Sequence, residues 1–241
     1  MRLAVLSDIH ANLEAFQAVL ADLERAGADR LAFLGDVVGY GPDPEECVRL
    51  ARGLGLAGVM GNHELGLAEA SSLGWFNPIA RRSLLQTREM LSAESLDYLI
   101  GLPLFLVQDG VRLVHGAPPD SATTYYFELG DQEIRDRLGD LPEGVCLVGH
   151  THELHLARLY TGKVERLPLG QGLHRLEPGW RYLINAGAVG QPRDGDNRAK
   201  YVIYDEPAAT LEVRLVDYDI PTTMRKIRER GLPEFNATRL L

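Results

Sequence analysis

Residues 3–10, Leu-Ala-Val-Leu-Ser-Asp-Ile-His, join a short apolar run to two polar side chains, Asp8 and His10. An apolar run of this length favours a buried β-strand. The same arrangement, an apolar run followed by Asp, Asn or His, recurs four times. The recurrences are Gly35-Asp36, Gly61-Asn62-His63-Glu64, His115-Gly116 and Gly149-His150-Thr151-His152. Strands that end in such side chains indicate a sheet with a functional edge.

The N-terminal part of the chain alternates between strands and helices. Strands are predicted at residues 3–6, 31–34 and 56–60. Asn12 is expected to cap a helix that ends at Gly27. Asp43 is expected to cap a second helix, whose first residue is Pro44. This alternation is typical of a βαβ sheet.

The rest of the chain is helical at first and then rich in strands. Residues 64–100 are predicted to be mostly helical, and residues 117–130 to form a long loop. Gln108-Asp109-Gly110 predicts a β-hairpin between residues 104–107 and 111–114. The remaining predicted elements are strands at 145–148, 154–160, 164–169, 182–184, 200–204 and 211–216, and a helix from Pro221 to near Gly231. The pattern predicts an α/β fold with two packed sheets and helices outside.

Length and charge limit the class of protein. The 241 residues fit one α/β domain over residues 1–241. The net charge of −9 repels duplex nucleic acid and anionic membranes, but it is compatible with a small phosphorylated substrate if bound cations invert the local field. There are two cysteines, no apolar run of membrane-spanning length and no signal-peptide pattern, so a cytoplasmic location is expected.

The five polar segments carry the chemistry. Five of the seven histidines lie in them. Ligands of open α/β sheets bind beyond the carboxyl ends of the strands, where all five segments are predicted to lie. Together they supply enough Asp, Asn and His for two adjacent divalent metals, a pair that can activate water for attack on phosphorus.

The ordered series of motifs resembles the calcineurin-like metallophosphoesterases. The motifs run from Asp8 to His152, and Asn185–Arg193 resembles the tail segment of the compact bacterial and archaeal phosphodiesterase branch. The resemblance implies a four-layer α/β/β/α sandwich of two mixed sheets. It also implies a dinuclear metal centre whose bridging hydroxide attacks phosphorus in line.

The resemblance also assigns roles by position. The first metal would be held by Asp8, His10 and His152, and the second by Asn62, His115 and His150, with Asp36 bridging both. Asn62 and His63 are the expected catalytic residues, and His63 would orient the phosphate and protonate the leaving oxygen. Nitrogen and oxygen ligands without thiolates suit manganese, the expected metal, but also iron, zinc, cobalt or nickel.

Other residues are candidates for substrate binding. Arg193 can reach a phosphate as a bidentate donor, or can be a solvated loop residue. Tyr40 can line the cleft or merely cover it. Tyr125-Tyr126-Phe127 can stack on an aromatic group or pack their loop onto the body. The helical segment 64–100 and the loop 117–130 are expected to shape substrate access.

The substrate class is less determined than the chemistry. Residues 36–42 lack the acid and the Arg that the protein phosphatase branch carries, which disfavours a phosphoprotein phosphatase. A phosphodiesterase acting on a small phosphodiester or a nucleotide derivative is expected. Phosphomonoesterase or dinucleoside polyphosphate hydrolase activity is the alternative, and a non-catalytic interaction protein of the same fold is a third. The sequence leaves oligomerisation open.

Overall fold

A computed structural model describes residues 1–241, except for the side chain of Ala70. The strands of the described chain are β1 (Arg2–Leu6), β2 (Arg30–Phe33), β3 (Ala57–Gly58), β4 (Phe105–Gln108), β5 (Val111–Val114), β6 (Val145–Val148), β7 (Leu154–Tyr160), β8 (Lys163–Pro168), β9 (Gly172–Arg175), β10 (Arg181–Ala186), β11 (Ala199–Asp205) and β12 (Thr210–Val216). The helices are α1 (Leu13–Ala26), α2 (Pro44–Gly53), α3 (Asn62–Ala68), α4 (Pro78–Met90), α5 (Ala93–Ile100), α6 (Asp131–Asp140), α7 (Ile220–Glu229) and α8 (Glu234–Thr238), with 3₁₀ turns at Ala70–Trp75 and Tyr126–Glu128.

The strands form two mixed six-stranded sheets. The first has the spatial order β3-β2-β1-β11-β12-β9, and the second the order β4-β5-β6-β10-β7-β8. In the first sheet β1 pairs with β2 in parallel and with β11 in antiparallel orientation. In the second, β10 pairs with β6 in parallel and with β7 in antiparallel orientation. Each sheet therefore has a parallel half, which the sequence pattern predicts only for the first.

The alternation of side chains along the strands builds four layers. Leu3 and Val5 of β1 face the second sheet and pack with residues of β5, β6 and β10. Ala4 and Leu6 face the other way and pack under α1 and its neighbouring helices. On the far side, α6 covers the second sheet through Ile134 and Leu138. Because side chains of a strand alternate between its faces, each sheet buries both faces, and the predicted α/β/β/α sandwich is confirmed.

Several predicted elements differ in extent. The strand expected at 56–60 is reduced to Ala57–Gly58, because the chain turns toward the polar segment that begins at Gly61. The loop 117–130 contains the 3₁₀ turn Tyr126–Glu128. The sequence pattern did not reveal β9, α6 or α8. Among the described residues no helix is both long and apolar enough to span a membrane.

Asp43 stands at the predicted cap position of α2 but does not cap it through its side chain. Its carboxylate instead accepts a hydrogen bond from Lys226 Nζ of α7 at 2.8 Å, and Lys226 also donates to Glu14 of α1. The expected helix cap is therefore wrong at the level of the side chain. A partly buried salt bridge to α7 takes precedence over the local hydrogen bond.

Asp22 ties α1 to the first sheet. Its carboxylate accepts hydrogen bonds from Arg214 Nε at 2.6 Å and from the Tyr201 hydroxyl at 2.8 Å. The Arg214 guanidinium is the chief reason that the pKa of Asp22 falls from 3.8 to about 2. An acid with a lowered folded-state pKa contributes stability above its unfolded-state pKa, and this contribution is lost as the pH falls toward the folded-state value.

We expect Asp22→Asn to lower the free energy of unfolding by about 2 kcal/mol at pH 7, because Arg214 loses the Asp22 carboxylate and keeps only Glu212 as an acidic partner. Urea denaturation of both proteins at several pH values measures the difference. It should be constant above about pH 4 and shrink toward pH 2, as ionised Asp22 disappears. A difference that stays constant down to pH 2 would show that the charge of Asp22 is not what stabilises the contact.

Candidate metal centre

Polar segments from both sheets meet at one edge of the sandwich. β1, β2 and β3 run parallel in the first sheet, and β5, β6 and β10 run parallel in the second. The segments that follow β1, β2 and β3 supply Asp8, His10, Asp36 and Asn62. Those that follow β5 and β6 supply His115, His150 and His152. The edge at the carboxyl ends of parallel strands is where α/β proteins bind ligands.

The first group of side chains contains Asp8, His10, Asp36 and His152, all of them buried. His152 Nε2 lies 3.1 Å from Asp8 Oδ1 and 3.0 Å from His10 Nε2. His10 Nε2 lies 3.6 Å from Asp8 Oδ1 and 3.7 Å from Asp36 Oδ2. The four side chains thus direct one atom each toward a common point and can hold one metal ion.

The second group contains Asp36, His115 and His150. His115 Nε2 lies 3.4 Å from Asp36 Oδ2, 3.2 Å from His150 Nδ1 and 3.1 Å from Asn62 Oδ1. Asp36 belongs to both groups, as a carboxylate shared by two ions would. The family described below and these Asp and His clusters together indicate a dinuclear metal site.

Backbone carbonyls fix the orientation of the imidazoles. The ring nitrogens that face away from the centre contact carbonyl oxygens: His10 Nδ1 contacts Val38 O at 3.0 Å, His115 Nδ1 contacts Leu34 O at 2.6 Å, His152 Nδ1 contacts Gln191 O at 2.6 Å and His150 Nε2 contacts Thr123 O at 3.1 Å. A carbonyl oxygen only accepts, so each of these nitrogens carries a proton. Histidine ligands of metals are oriented by the same kind of hydrogen bond.

The protonation of His152 leaves two acceptors facing each other. Burial is the main reason that the pKa of His152 falls to about 3, so the ring is neutral at pH 7. Its one proton is on Nδ1, and Nε2 therefore presents a lone pair to Asp8 Oδ1. Asp8 Oδ1 is buried and has no hydrogen-bond partner in the described structure. A cation between these atoms would satisfy both, so the residues present fit a metal.

The pKa values of Asp36 and His150 also suit the binding of a cation, whereas that of His115 opposes it. Burial would raise the pKa of Asp36, but the neighbouring imidazoles, His115 first among them, outweigh it and hold this pKa well below its usual range. Burial lowers the pKa of His150 to about 4. His115 differs: burial opposes its protonation, but Asp36 outweighs burial and raises the pKa to about 9. A cation that binds there at pH 7 must displace this proton.

Glu64 fastens two of the polar segments together. Its buried carboxylate accepts hydrogen bonds from the backbone N–H groups of Asp36 at 2.7 Å, Val37 at 2.9 Å and Gly61 at 2.9 Å. Asp36 Oδ1 in turn accepts from the His63 N–H at 2.9 Å, which leaves Oδ2 to face the imidazoles. The sequence pattern placed Glu64 in a motif but gave it no role. An acid directly after His63 was the available signal.

The backbone itself is strained at the centre. Non-glycine residues with left-handed φ include Asp8 at 53°, His10 at 48°, Asp36 at 51°, His150 at 69° and His152 at 62°. Such conformations cost about 1 kcal/mol or more each, and they concentrate at functional sites. Close packing also requires Gly149, where a Cβ atom would lie 1.9 Å from Ser7 Oγ and 2.6 Å from Asp8 Oδ2.

The residues predicted for catalysis and substrate binding lie beside the two groups. His63 is buried, and its Nε2 lies 4.0 Å from Asp36 Oδ2. The Tyr40 ring lies 4.6 Å from the His63 ring, and the Arg193 guanidinium lies 5.9 Å from the Tyr40 ring. Arg193 Nε is buried without a hydrogen-bond partner among the described residues. The geometry therefore places all three next to the centre, and their roles remain predictions.

A cavity of about 310 Å³ opens from the centre. It is lined by Tyr40, Asn62, Trp75, Phe76, Asn77, Ala80, Thr123, Tyr125 and His150. Several of these residues come from the helical segment 64–100 and from the loop 117–130, the two elements expected to shape access. His155 and His174 take no part: His155 contacts Glu153 at 2.8 Å and His174 contacts Gly170 O at 2.7 Å.

Comparison with known proteins agrees with the geometry. Residues 1–208 match the model of the calcineurin-like phosphoesterase superfamily domain. The uncharacterized protein MJ0912 of Methanocaldococcus jannaschii is 38% identical over 242 residues, which cover 99% of this chain and 96% of that protein.

Two solved structures extend this likeness to the fold. A metallophosphoesterase from Sphaerobacter thermophilus is 39% identical, with a TM-score of 0.87 over 100% of this chain and 98% of that one. The hypothetical protein PH1004 from Pyrococcus horikoshii shares the fold, with 19% identity and a TM-score of 0.81 over 99% and 97% of the two chains.

Proposed function

The chain belongs to the calcineurin-like phosphoesterase superfamily and is a metal-dependent phosphoesterase, and from this premise we propose that it hydrolyses small phosphodiesters or nucleotide derivatives at a dinuclear centre. One observation carries the proposal: two convergent groups of ligand atoms share Asp36. A lone carboxylate between two sets of imidazoles has little structural use, whereas two close cations require it.

The proposed ligands follow the two groups. Asp8, His10 and His152 would hold the first ion, and Asn62, His115 and His150 the second, with Asp36 contacting both. When bound, two divalent ions supply Lewis acidity, which lowers the pKa of water and neutralises phosphoryl oxygens. Nitrogen and oxygen donors without thiolate suit manganese, which we propose as the metal. The buried free cysteines Cys47 and Cys146 fit the expected cytoplasmic location.

His63 is proposed to act on the substrate and not on the metals. Burial outweighs the nearby Asp36 carboxylate and lowers the pKa of His63 to about 3, so the ring is neutral at pH 7. A phosphate bound beside it would supply the negative charge that favours the imidazolium. His63 Nδ1 is buried against Gly39 without a hydrogen-bond partner in the described structure, so Nε2, which lies 4.0 Å from Asp36 Oδ2, is the nitrogen that faces the centre. These properties support His63 as the group that orients the phosphate and protonates the leaving oxygen.

Arg193 supports the diester preference. It is the cation next to Tyr40 at the centre, and its Nε has no other partner in the described structure. Its backbone N–H donates to His152 O at 3.1 Å, which fixes the start of its loop against the centre. The Arg193 guanidinium can balance the single negative charge of a phosphodiester, whereas a monoester brings a further charge. We therefore place the phosphodiester first and the phosphomonoester second.

Paired initial rates test the reaction class. After metal removal and reconstitution with manganese, we expect turnover of bis(p-nitrophenyl) phosphate well above that of p-nitrophenyl phosphate. Asp36→Asn is the matched control and should abolish the metal-dependent part of both rates. The reverse ranking would make the protein a monoesterase. A reconstituted protein that neither turns over either compound nor retains metal would contradict the proposed centre.

His63→Ala tests whether His63 acts on the substrate or binds a metal. We expect kcat to fall by about 100-fold, because the proton donor is lost, while the metal content measured by plasma mass spectrometry stays at the wild-type level. His174→Ala, a histidine away from the centre, should change neither quantity. A folded His63→Ala protein that has lost its metals would instead make His63 a ligand.

A further inference from the structure

We propose that the cavity beside the centre binds a nucleobase of the substrate, with Trp75 as its stacking surface. This inference rests on the proposed phosphoesterase function and names the chemical group that accompanies the phosphate. The substrate class would be a nucleotide ester, in which a flat heterocycle lies one sugar away from phosphorus.

The cavity is continuous with the centre. Asn62 and His150, both proposed ligands, form part of its wall, and Trp75 and Phe76 form another part. A substrate whose phosphate lies at the ions therefore directs its next group into this cavity. A volume of about 310 Å³ is at the lower end of small-molecule pockets. It suits one nucleoside-sized group and not two.

The predicted aromatic cluster does not supply the stacking surface. The Tyr125 ring already stacks on His150, with a centroid distance of 3.8 Å, and on Phe127, with a distance of 4.9 Å. Tyr126 is buried and stacks on His155 at 5.4 Å. Tyr125 and Tyr126 thus pack the loop onto the body, the second of the two roles that the sequence allows, whereas Phe127 stacks on Tyr125 and stays 66% exposed. Tyr125 thus offers the cavity only its edge and its hydroxyl group.

Trp75 has the free face. Its side chain is 67% exposed, although indole is among the most costly groups to leave in water. Within the described chain it has no stacked aromatic ring and no cation over it, unlike Trp180, which stacks on Tyr160 and lies under Arg158. Phe76 next to it is held edge-on against His63 at 5.1 Å. The exposed indole therefore stands one residue from a ring that contacts the centre.

The polar lining favours a heterocycle over a plain phenyl ring. The amide oxygen of Asn77 accepts from the N–H groups of Ile79 and Ala80 at the start of α4, so its NH₂ group remains available as a donor. Thr123 and the Tyr125 hydroxyl add further polar groups to the wall. Nucleobases carry ring nitrogens and exocyclic groups at their edge that can use such partners, whereas a phenyl group cannot.

Direct binding tests the cavity independently of the metals. Trp75 and Trp180 are the only tryptophans, so Trp180→Phe leaves Trp75 as the sole indole. We expect saturable quenching of its fluorescence by adenosine and none by ribose, in metal-stripped protein. Equal responses to adenosine and ribose would overturn the proposal, even if the enzyme proved to be a phosphodiesterase.

Competition in the manganese-loaded enzyme tests the same idea at the site. Against bis(p-nitrophenyl) phosphate turnover, AMP should inhibit at least about tenfold more tightly than ribose 5-phosphate, as expected for one stacked base. Trp75→Ala should remove this preference. Leu173→Ala, a residue of nearly equal exposure at 68% on β9, should keep both the preference and the turnover.

Phenyl phosphate separates a nucleobase from a simple aryl group. Inhibition by phenyl phosphate as tight as that by AMP would overturn the nucleobase assignment, as would a preference for AMP that survives Trp75→Ala. If the manganese-loaded enzyme hydrolyses no phosphoester, the proposed function fails. The adenosine titration still tests separately whether the cavity binds a nucleobase.

Discussion

Asp8 Oδ1 and His152 Nε2 lie 3.1 Å apart with no proton between them, and the rest of the centre is built around this conflict. Two buried acceptors at that distance repel each other unless a cation lies between them. The other polar atoms of the two side chains have partners: His152 Nδ1–H donates to Gln191 O, and the His150 N–H and Ser7 Oγ donate to Asp8 Oδ2. The residues with left-handed φ and the hydrogen bonds of Glu64 also hold the polar segments in position at the centre. A bound cation would relieve the strain that the fold stores at this edge, and this relief would contribute to metal affinity.

The sandwich is needed because neither sheet contains a complete set of ligands. The first sheet supplies Asp8, His10, Asp36 and Asn62, whereas the second supplies three histidines. Each proposed ion would be bound by both sheets, so the packing between them, through Leu3, Val5 and their partners, sets the distances at the centre. Residues far from the chemistry therefore control it. The segments 64–100 and 117–130 line part of the cavity without providing the imidazoles, and we propose that they influence substrate choice.

The sequence predicted the fold and the candidate site best where a local pattern of residue types has a single structural meaning. Apolar runs followed by Asp or His located the carboxyl ends of five strands, because buried strands and their polar ends have opposite requirements. The local pattern did not predict the role of a side chain where contacts with distant parts of the chain determine it. Asp43 looks like a helix cap, but Lys226, far along the chain, takes its carboxylate. For Tyr125 the sequence left substrate stacking and loop packing open, and the contacts of its ring with His150 and Phe127 favour packing. The sequence placed Glu64 in a motif but did not reveal its role, since two of its partners, Asp36 and Val37, lie in the segment that follows β2.

The most direct test of a shared, dinuclear centre is anomalous diffraction from crystals of the protein soaked in manganese, recorded at the manganese absorption edge. A dinuclear centre should give two peaks about 3.5–4 Å apart, one on each side of the Asp36 carboxylate, with His152 beside one and His115 beside the other. A single peak, or none at this edge of the sandwich, would contradict it.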